Sequence, residues 1–379
     1  MKPERTTARR VLAALLSLGA AAAMLTGCAS DRPPPTPLEP VTPAISGQLV
    51  WQTRLSGIGF PLVPAVRDGV FYVADDRGNV LALNAQDGSE RWRASAGDAV
   101  SAGVGSDGRH TSVVTRGNEV VTFEAGREVW RKRLPSSVVT PPLVAGERVF
   151  VIGVDRAVHA FDALDGRRLW VLQRPGDALT LAQASVLLPW RNVLLVAQGA
   201  RLTGVDPLRG TVLWDAPMAT PRGSNEVERL SDLVGPAVRV GDRVCARAFQ
   251  SAVACADAAR GALLWSRTVG GIQAVAADAE RVYGADASDR ITAWRSDNGD
   301  VAWTSEKLLY RGLSGALAVG PVVVFGDSEG YVHFLSAADG SAQLRLRPDN
   351  SPVIGTPVLS GSTMLVTTRG GGLWAFRPQ

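Results

Sequence analysis

Histidine and cysteine are the residues of this chain whose chemistry could support catalysis or metal binding, and the sequence contains three of each. The histidines, His110, His159 and His333, are far apart, and none is part of an HExxH, CxxC or nucleophile-elbow motif. His159 and His333 stand at equivalent positions of two repeating segments, where other segments have alanine or threonine. This distribution is typical of a strand position that tolerates several residue types. We therefore predict no catalytic residue and no metal ligand among the histidines.

The first cysteine follows a segment that is typical of a secretory signal. A basic start precedes an apolar stretch of 14 residues, which is short for a membrane-spanning helix, and then Leu25, Thr26 and Gly27. This order resembles the bacterial lipobox, in which the next cysteine is acylated and becomes the first residue of the mature protein. We predict a signal peptide over residues 1–27 and lipidation of Cys28.

The residues that follow indicate where such an anchor would place the protein. In enterobacteria, an aspartate directly after the lipidated cysteine resembles a signal for retention in the inner membrane. This chain has Ala29 at that position, which favours the outer membrane. Residues 31–43 contain six prolines and favour an extended polyproline II conformation. We interpret residues 28–44 as a lipidated tether and residues 45–379 as the folded body.

The other two cysteines, Cys245 and Cys255, lie in successive strand-like runs. If an odd number of residues connects the strands, the cysteines face each other, whereas a two-residue turn places them on opposite faces. Two outcomes stay open: a disulfide formed in an oxidising periplasm, or two buried thiols that act as small apolar side chains.

The distribution of charge argues against a nucleic-acid-binding protein. The net charge is +4, and the signal peptide contributes +3 of it through Lys2, Arg5, Arg9 and Arg10 against Glu4. No block of lysine or arginine remains that could neutralise a run of phosphates. We expect no nucleic-acid partner.

The elements that position these residues repeat along the chain. A glycine stands four residues before a large apolar residue in seven units: Gly88/Trp92, Gly126/Trp130, Gly166/Trp170, Gly210/Trp214, Gly261/Trp265, Gly299/Trp303 and Gly340/Leu344. The spacings between successive units are 38, 40, 44, 51, 38 and 41 residues. Alternating apolar runs and turn signals precede each glycine, so each unit is predicted to form four short antiparallel strands. Such units indicate an all-β β-propeller, with each tryptophan packed on the adjacent blade.

The two ends of this array complete each other. Near the N-terminus, Gly47 and Trp51 form the pair typical of an outer strand, but no inner strands precede them. At the C-terminus, the sequence GLWAFRPQ supplies an inner strand with no outer strand after it. We predict eight blades of four strands each, in which the N-terminal strand closes the last blade and removes an open sheet edge.

Several stretches carry a resemblance to a known family. Repeats with the pattern D-x-x-x-G-x-x-x-W, such as Asp162–Trp170, are similar to those of quinoprotein-type propellers. Within that group, the lipoprotein leader and the stretches Gly326–Gly340, Gly223–Leu233 and Leu179–Ser185 resemble the BamB family over the whole mature chain. The resemblance implies a non-catalytic subunit of the outer-membrane β-barrel assembly machinery that has no cofactor.

The resemblance also implies a partner and a binding surface. The family binds the periplasmic POTRA domains of BamA, the barrel-forming subunit, and helps to deliver or organise unfolded outer-membrane proteins. By position, the binding residues of the family match Leu179, Leu181 and Asp232. Ala182 stands where the best-known members have arginine, and Val234 stands where they have a second aspartate. These departures reduce the charged part of the contact and give the two leucines a larger share of it.

The longest spacing in the repeat array points to the same region independently. Its additional residues lie in Pro217–Gly235, and long loops on a rigid scaffold often carry function. We therefore predict that Leu179, Leu181, Ala182, Arg229 and Asp232 bind the partner and lie side by side on one rim, because both segments open consecutive blades. Two alternatives stay open: that the leucines are core residues of an inner strand, and that Arg229 and Asp232 form a local ion pair on a solvated loop.

We expect a protein that is lipid-anchored at the periplasmic face of the outer membrane. Two other functions stay open. A quinone-cofactor dehydrogenase has the same fold, but the sequence has no adjacent cysteine pair and no Glu/Asn/Asp trio that can be assigned to calcium. A glycan-binding lipoprotein would need an exposed aromatic platform, whereas Trp190, Trp294 and Trp374 could equally be core residues.

Overall fold

Eight four-stranded antiparallel sheets make up the part of the chain that the computed structural model describes, residues 33–174 and 179–378. This arrangement confirms the predicted eight-bladed β-propeller. The predicted signal peptide and Cys28 lie outside the described residues. Within the described ranges, no helix has the length and apolar character that a membrane span requires.

The chain enters the propeller through β1 (Gly47–Arg54), and the blades are numbered from the next strand onward. Blade 1 contains β2 (Ala65–Arg67), β3 (Val70–Ala74), β4 (Asn79–Asn84) and β5 (Glu90–Ser95). Blade 2 contains β6 (Val100–Ser106), β7 (His110–Thr115), β8 (Glu119–Glu124) and β9 (Arg127–Arg133). Blade 3 contains β10 (Leu143–Ala145), β11 (Arg148–Ile152), β12 (Val158–Asp162) and β13 (Arg168–Leu172). Blade 4 contains β14 (Leu187–Trp190), β15 (Val193–Gln198), β16 (Arg201–Val205) and β17 (Val212–Pro217).

The second half of the ring repeats this order. Blade 5 contains β18 (Leu233–Val240), β19 (Arg243–Ala248), β20 (Ala252–Asp257) and β21 (Ala262–Thr268). Blade 6 contains β22 (Ala276–Ala277), β23 (Arg281–Ala285), β24 (Ile291–Arg295) and β25 (Val301–Ser305). Blade 7 contains β26 (Leu317–Val319), β27 (Val322–Gly326), β28 (Val332–Ser336) and β29 (Ala342–Leu346). Blade 8 combines β30 (Val358–Ser360), β31 (Thr363–Thr367) and β32 (Gly372–Pro378) with β1.

The burial of each strand follows from its place in the blade. The middle strands lie between neighbouring blades, so both of their faces are covered and side chains on both are apolar. In blade 1, all of β3 and the centre of β4 are buried. The outer strands are partly exposed, and in β9 only Trp130 is fully buried.

Blade 8 is built from both ends of the chain, as predicted. β1 pairs with β32 in antiparallel register, with Trp51 opposite Ala375 and Arg54 opposite Gly372. Immediately after β1, the Leu55 N–H donates to the carbonyl oxygen of Gly371 over 2.8 Å. One hydrogen-bonded sheet therefore joins the beginning and the end of the propeller.

Each outer-strand tryptophan packs on the glycine of the blade that follows. Trp51 lies against Gly88 of blade 1, where a Cβ atom would come within 2.6 Å of the indole, and its Nε1 donates to the Ala85 carbonyl over 3.0 Å. The same contact recurs at Trp92/Gly126, Trp130/Gly166, Trp170/Gly210, Trp214/Gly261, Trp265/Gly299 and Trp303/Gly340. In blade 7, Leu344 takes the place of the tryptophan and lies next to Gly47. The glycine thus has two roles: it forms the tight turn and leaves room for the indole.

Two substitutions should separate these roles. Gly69 and Gly88 have nearly the same left-handed backbone, with φ of 74° and 73°, but a Cβ atom on Gly69 would have no neighbour within 4 Å. Gly69→Ala should cost the backbone strain of ~1–2 kcal/mol. Gly88→Ala should cost a further ~1–3 kcal/mol, because Trp51 must move. Urea unfolding of both variants measures the difference, and equal losses would show that the glycine–indole contact adds no steric requirement.

The segment before β1 lies along blades 6 and 7 over residues 36–44. The Thr36 N–H donates to the carbonyl oxygen of Leu309 over 3.0 Å. Further along, Arg345 Nη1 donates to the carbonyl oxygen of Glu39 over 2.8 Å. This part of the proline-rich segment is therefore bound to the fold, and the predicted boundary between tether and folded body stays a prediction.

Candidate functional site

The two segments predicted to bind a partner lie on the face where the outer strand of one blade connects to the next blade. Residues 179–186 precede β14, and residues 218–232 connect β17 to β18. The Asp232 carboxylate accepts a hydrogen bond from the Leu181 N–H over 2.9 Å. The two segments are therefore side by side, and the structure brings Leu179, Leu181 and Asp232 together.

Asp232 is held within this arrangement by two hydrogen bonds. Its Oδ2 accepts from Leu181, and its Oδ1 accepts from Arg156 Nη2 over 3.3 Å. The same guanidinium nitrogen donates to the carbonyl oxygen of Leu179 over 3.1 Å. The side chains of Arg156 and Asp232 are only 15% and 14% exposed. Among the described residues, the ionic partner of Asp232 is thus Arg156 of blade 3 and not the nearby Arg229.

The repeat pattern does not identify Arg156, but one local signal could have done so. Arg156 lies in the turn between β11 and β12 and has a φ of 63°. The equivalent turn position also has positive φ in the other blades, at Gly78, Asn118, Gly199, Gln250, Asp289, Gly330 and Gly371. Glycine is favoured there because side chains strain this backbone conformation. An arginine at such a position therefore suggests a specific role for its side chain.

Leu179 and Leu181 lie outside the apolar core. Leu179 is 36% exposed, Leu181 is half-buried, and Ala182 is exposed. Neither leucine belongs to a hydrophobic cluster of the described residues, and both precede β14 instead of lying within a strand. The backbone is also held beyond them, since the Gly235 N–H donates to the Ala184 carbonyl over 2.8 Å. The segment thus presents apolar side chains on a well-fixed backbone.

Arg229 belongs to a loop that is stabilised by local contacts. The Glu228 carboxylate accepts from the Ser224 N–H over 2.7 Å and from its hydroxyl over 3.0 Å. These two bonds, the backbone bond first, lower the pKa of the Glu228 carboxyl. Arg229 is half-buried, whereas Val227 is 72% exposed. A groove of about 560 Å³ separates this loop from blade 5.

Arg247 fixes the neighbouring connection between blades 5 and 6. Its fully buried guanidinium donates to the carbonyl oxygens of Gln273, Gly270 and Ala285 over 2.9, 3.0 and 2.7 Å. Burial lowers the pKa of Arg247 to about 10, so the side chain stays cationic at neutral pH. Arg247 therefore ties two blades together on the face that carries the candidate site.

Comparison with known proteins identifies the family. A family model described as "Outer membrane protein assembly factor BamB" matches residues 41–101 and 78–305. The chain belongs to the BamB family. BamB from Bordetella pertussis, which bears the same description, is 33% identical over 362 residues, or 93% of this chain and 94% of that protein. The resemblance seen in the sequence is thereby confirmed.

Solved structures show the same fold in BamB proteins and in enzymes. The crystal structure of BamB from Moraxella catarrhalis matches with a TM-score of 0.80 at 21% identity and covers 88% of this chain and 100% of that one. Quinohemoprotein alcohol dehydrogenase from Comamonas testosteroni matches with a TM-score of 0.66 at 16% identity and covers 87% of this chain and 76% of that one. At these identities both matches show the fold alone, so function must be argued from the site.

The two positions at which this BamB family member departs from the best-known members have different environments. Ala182 is exposed, so the absence of an arginine there removes a charge from the candidate surface. Val234 is fully buried in β18, where it pairs with Arg247 of β19. Val234 therefore lies beneath the surface and cannot contact a partner directly.

The family-like stretch Gly326–Gly340 includes a buried polar network. The Asp327 carboxylate accepts from Arg311 Nε over 2.8 Å and lies 2.9 Å from His333 Nε2. Burial lowers the pKa of His333, which keeps the ring neutral at neutral pH. His333 is thus part of a specific network. The sequence pattern indicated only a strand position that tolerates several residue types, and it did not predict this network.

The cysteines complete the set of predicted site residues. Three residues connect β19 to β20, so Cys245 lies opposite Cys255, and a disulfide joins them. Within residues 33–174 and 179–378, no group of three or more His, Cys, Asp or Glu side chains is placed to hold a metal ion. The lipidation of Cys28 stays a prediction.

Proposed function

We propose that this protein is a non-catalytic scaffold lipoprotein of the outer-membrane β-barrel assembly machinery and that it binds the POTRA domains of BamA. Family membership supports this role, since the relative from Bordetella pertussis is named an outer membrane protein assembly factor and matches 93% of the chain. The lipid on Cys28 holds the protein at the periplasmic face of the outer membrane.

The hydrogen bond between Leu181 and Asp232 is the observation that carries the proposal. It joins the two segments that correspond to the binding loops of the family into one surface. Leu179 and Leu181 are the apolar anchors of this surface, and Ala182 and Arg229 lie at its rim. An apolar centre with a polar rim is the usual composition of a protein interface.

The backbone contacts of the two leucines support recognition through side chains. The Leu181 N–H and the Leu179 carbonyl oxygen are both occupied within the protein, by Asp232 and Arg156. An edge strand of the partner would find these two groups already engaged, which weighs against strand pairing at the leucines. Recognition therefore relies on leucine side chains that enter apolar pockets of the partner. The rest of the propeller stays available to unfolded outer-membrane proteins, the further partner that we propose.

A titration tests the proposal directly. The mature protein, without its lipid, is titrated with purified POTRA domains of BamA, and we expect saturable binding. In parallel, affinity purification from solubilised outer membranes should recover BamA. Failure of both would overturn the proposed function. The absorbance of a bound quinone, or a specific signal on a glycan array, would instead favour the dehydrogenase or the glycan-binding lipoprotein.

A further inference from the structure

The segment that carries the two leucines is held by side chains from elsewhere in the propeller. Ala184 and Val186 accept backbone hydrogen bonds from Gly235 and Ala197 over 2.8 and 2.9 Å, but residues 179–183 form no strand and no backbone–backbone hydrogen bond among the described residues. Instead, Asp232 accepts the Leu181 N–H, and Arg156 donates to the Leu179 carbonyl oxygen. Arg156 and Asp232 also bind each other. We call this pair of side chains the latch.

The position of Arg156 indicates that its side chain has a role beyond the turn. It has a left-handed backbone with a φ of 63°, at a turn position where four of the other seven blades have glycine and the remaining three have Asn118, Gln250 and Asp289. A glycine would form the turn with less strain. The arginine side chain therefore contributes something other than the turn, and its contacts are with Leu179 and Asp232.

The surroundings of the latch are narrow and mostly shielded from solvent. A cleft of about 40 Å³ lies behind the segment and is lined by Arg156, Thr180, Leu181 and Asp232 among others. In such a partly dry environment, a charged hydrogen bond holds the backbone more firmly than it would in water.

We propose that Arg156 and Asp232 are positioning residues of the binding surface, which hold Leu179 and Leu181 in the conformation that the partner recognises. This inference rests on the proposed function. The latch acts before the partner arrives: it raises the fraction of molecules whose segment is ready to bind and so lowers the ordering cost of association. Asp232 then acts through the segment and not through direct contact with the partner.

Arg156→Gly is the variant that separates the latch from the fold. Glycine relieves the strain of the left-handed turn, which offsets part of the cost of leaving the Asp232 carboxylate, 14% exposed, without its ionic partner. The melting temperature should therefore fall only moderately, and the protein should stay folded. Without the guanidinium, hydrogen exchange at the Leu181 amide should become at least tenfold faster, and the affinity for POTRA domains should fall about tenfold. Asn118→Gly is the matched control, because it makes the same change at the equivalent turn of blade 2, where φ is 60°, and it should alter neither quantity.

The association rate gives a readout that a loss of direct contact would not produce. If fewer molecules hold the competent conformation, the association rate falls while the dissociation rate stays nearly constant, whereas the loss of a contact mainly raises the dissociation rate. Asp232→Asn should also slow association, by about threefold, because it removes the ion pair and keeps an acceptor for Leu181. The two variants change the net charge in opposite directions, so electrostatic steering cannot explain a decrease in both.

The outcomes are distinguishable. If the Leu181 amide stays protected from exchange in the Arg156→Gly variant, the latch does not hold the segment. If the amide exchanges faster but the affinity for POTRA domains is unchanged, the latch is not a positioning device. If the affinity falls only through faster dissociation, Arg156 contacts the partner and the inference is wrong. If the unmodified protein does not bind POTRA domains at all, the proposed function fails, whatever the exchange data show about the latch.

Discussion

Deletion of residues 46–55 should leave the protein unfolded or aggregated. The deletion removes β1 and with it the hydrogen-bonding partner of β32 in blade 8. It also takes Trp51 away from Gly88, so the interface between blades 8 and 1 loses its indole. The open sheet edge and the uncovered apolar face then favour association with other molecules. The expected effect is therefore global, although the change is confined to one end of the propeller sequence.

Thermal unfolding and size-exclusion chromatography measure this effect, and two point variants on β1 serve as controls. Trp51→Ala should cost ~3–5 kcal/mol because the indole is buried between blades. Leu49→Ala should change stability by at most ~0.5 kcal/mol, since Leu49 is 42% exposed. A truncated protein that melts at the temperature of the full-length protein would show that β1 is not needed to close the ring.

The combined substitution of Leu179 and Leu181 by alanine should weaken binding to POTRA domains by about 30-fold or more. Truncation of an anchoring apolar residue typically costs ~2 kcal/mol or more, and ~1.4 kcal/mol corresponds to a factor of ten in affinity. The fold should survive, because neither leucine belongs to a hydrophobic cluster of the described residues. The loss should appear mainly as faster dissociation, in contrast to the effect of opening the latch.

Two controls test whether this loss is specific to the site. Leu164→Ala with Leu208→Ala removes two exposed leucines, 54% and 61%, from the turns that precede the outer strands of blades 3 and 4 and should leave the affinity unchanged. Glu228→Ala removes a charge at the rim and should have little effect. Titration of each variant, together with a thermal melt, gives the comparison. Unchanged affinity in the Leu179/Leu181 variant would exclude these residues from the interface, and a collapsed melt would assign them a role in the fold.

The sequence by itself determined the architecture of this protein. The spacing between Gly88 and Trp92 recurs in the other units. This periodicity predicts short strands and tight turns, because both depend on residues that are close together in the sequence. The incomplete units at the two ends, Gly47 with Trp51 and the final inner strand, were sufficient to predict the shared blade. The family could also be recognised at this level, because the stretches that carry the resemblance are continuous in sequence.

The tertiary structure decided which side chains from different blades come into contact. Arg156 and Asp232 are 76 positions apart, and the contact between them passes over blade 4. No repeat pattern encodes such a pair, since it depends on how the connections of several blades converge on one face. The burial of Val234 and the network of His333 with Asp327 likewise depend on how strands and blades pack. Strand and turn formation follows from local sequence, whereas the partners of a polar side chain are set by the closed ring, which brings distant segments within hydrogen-bonding distance.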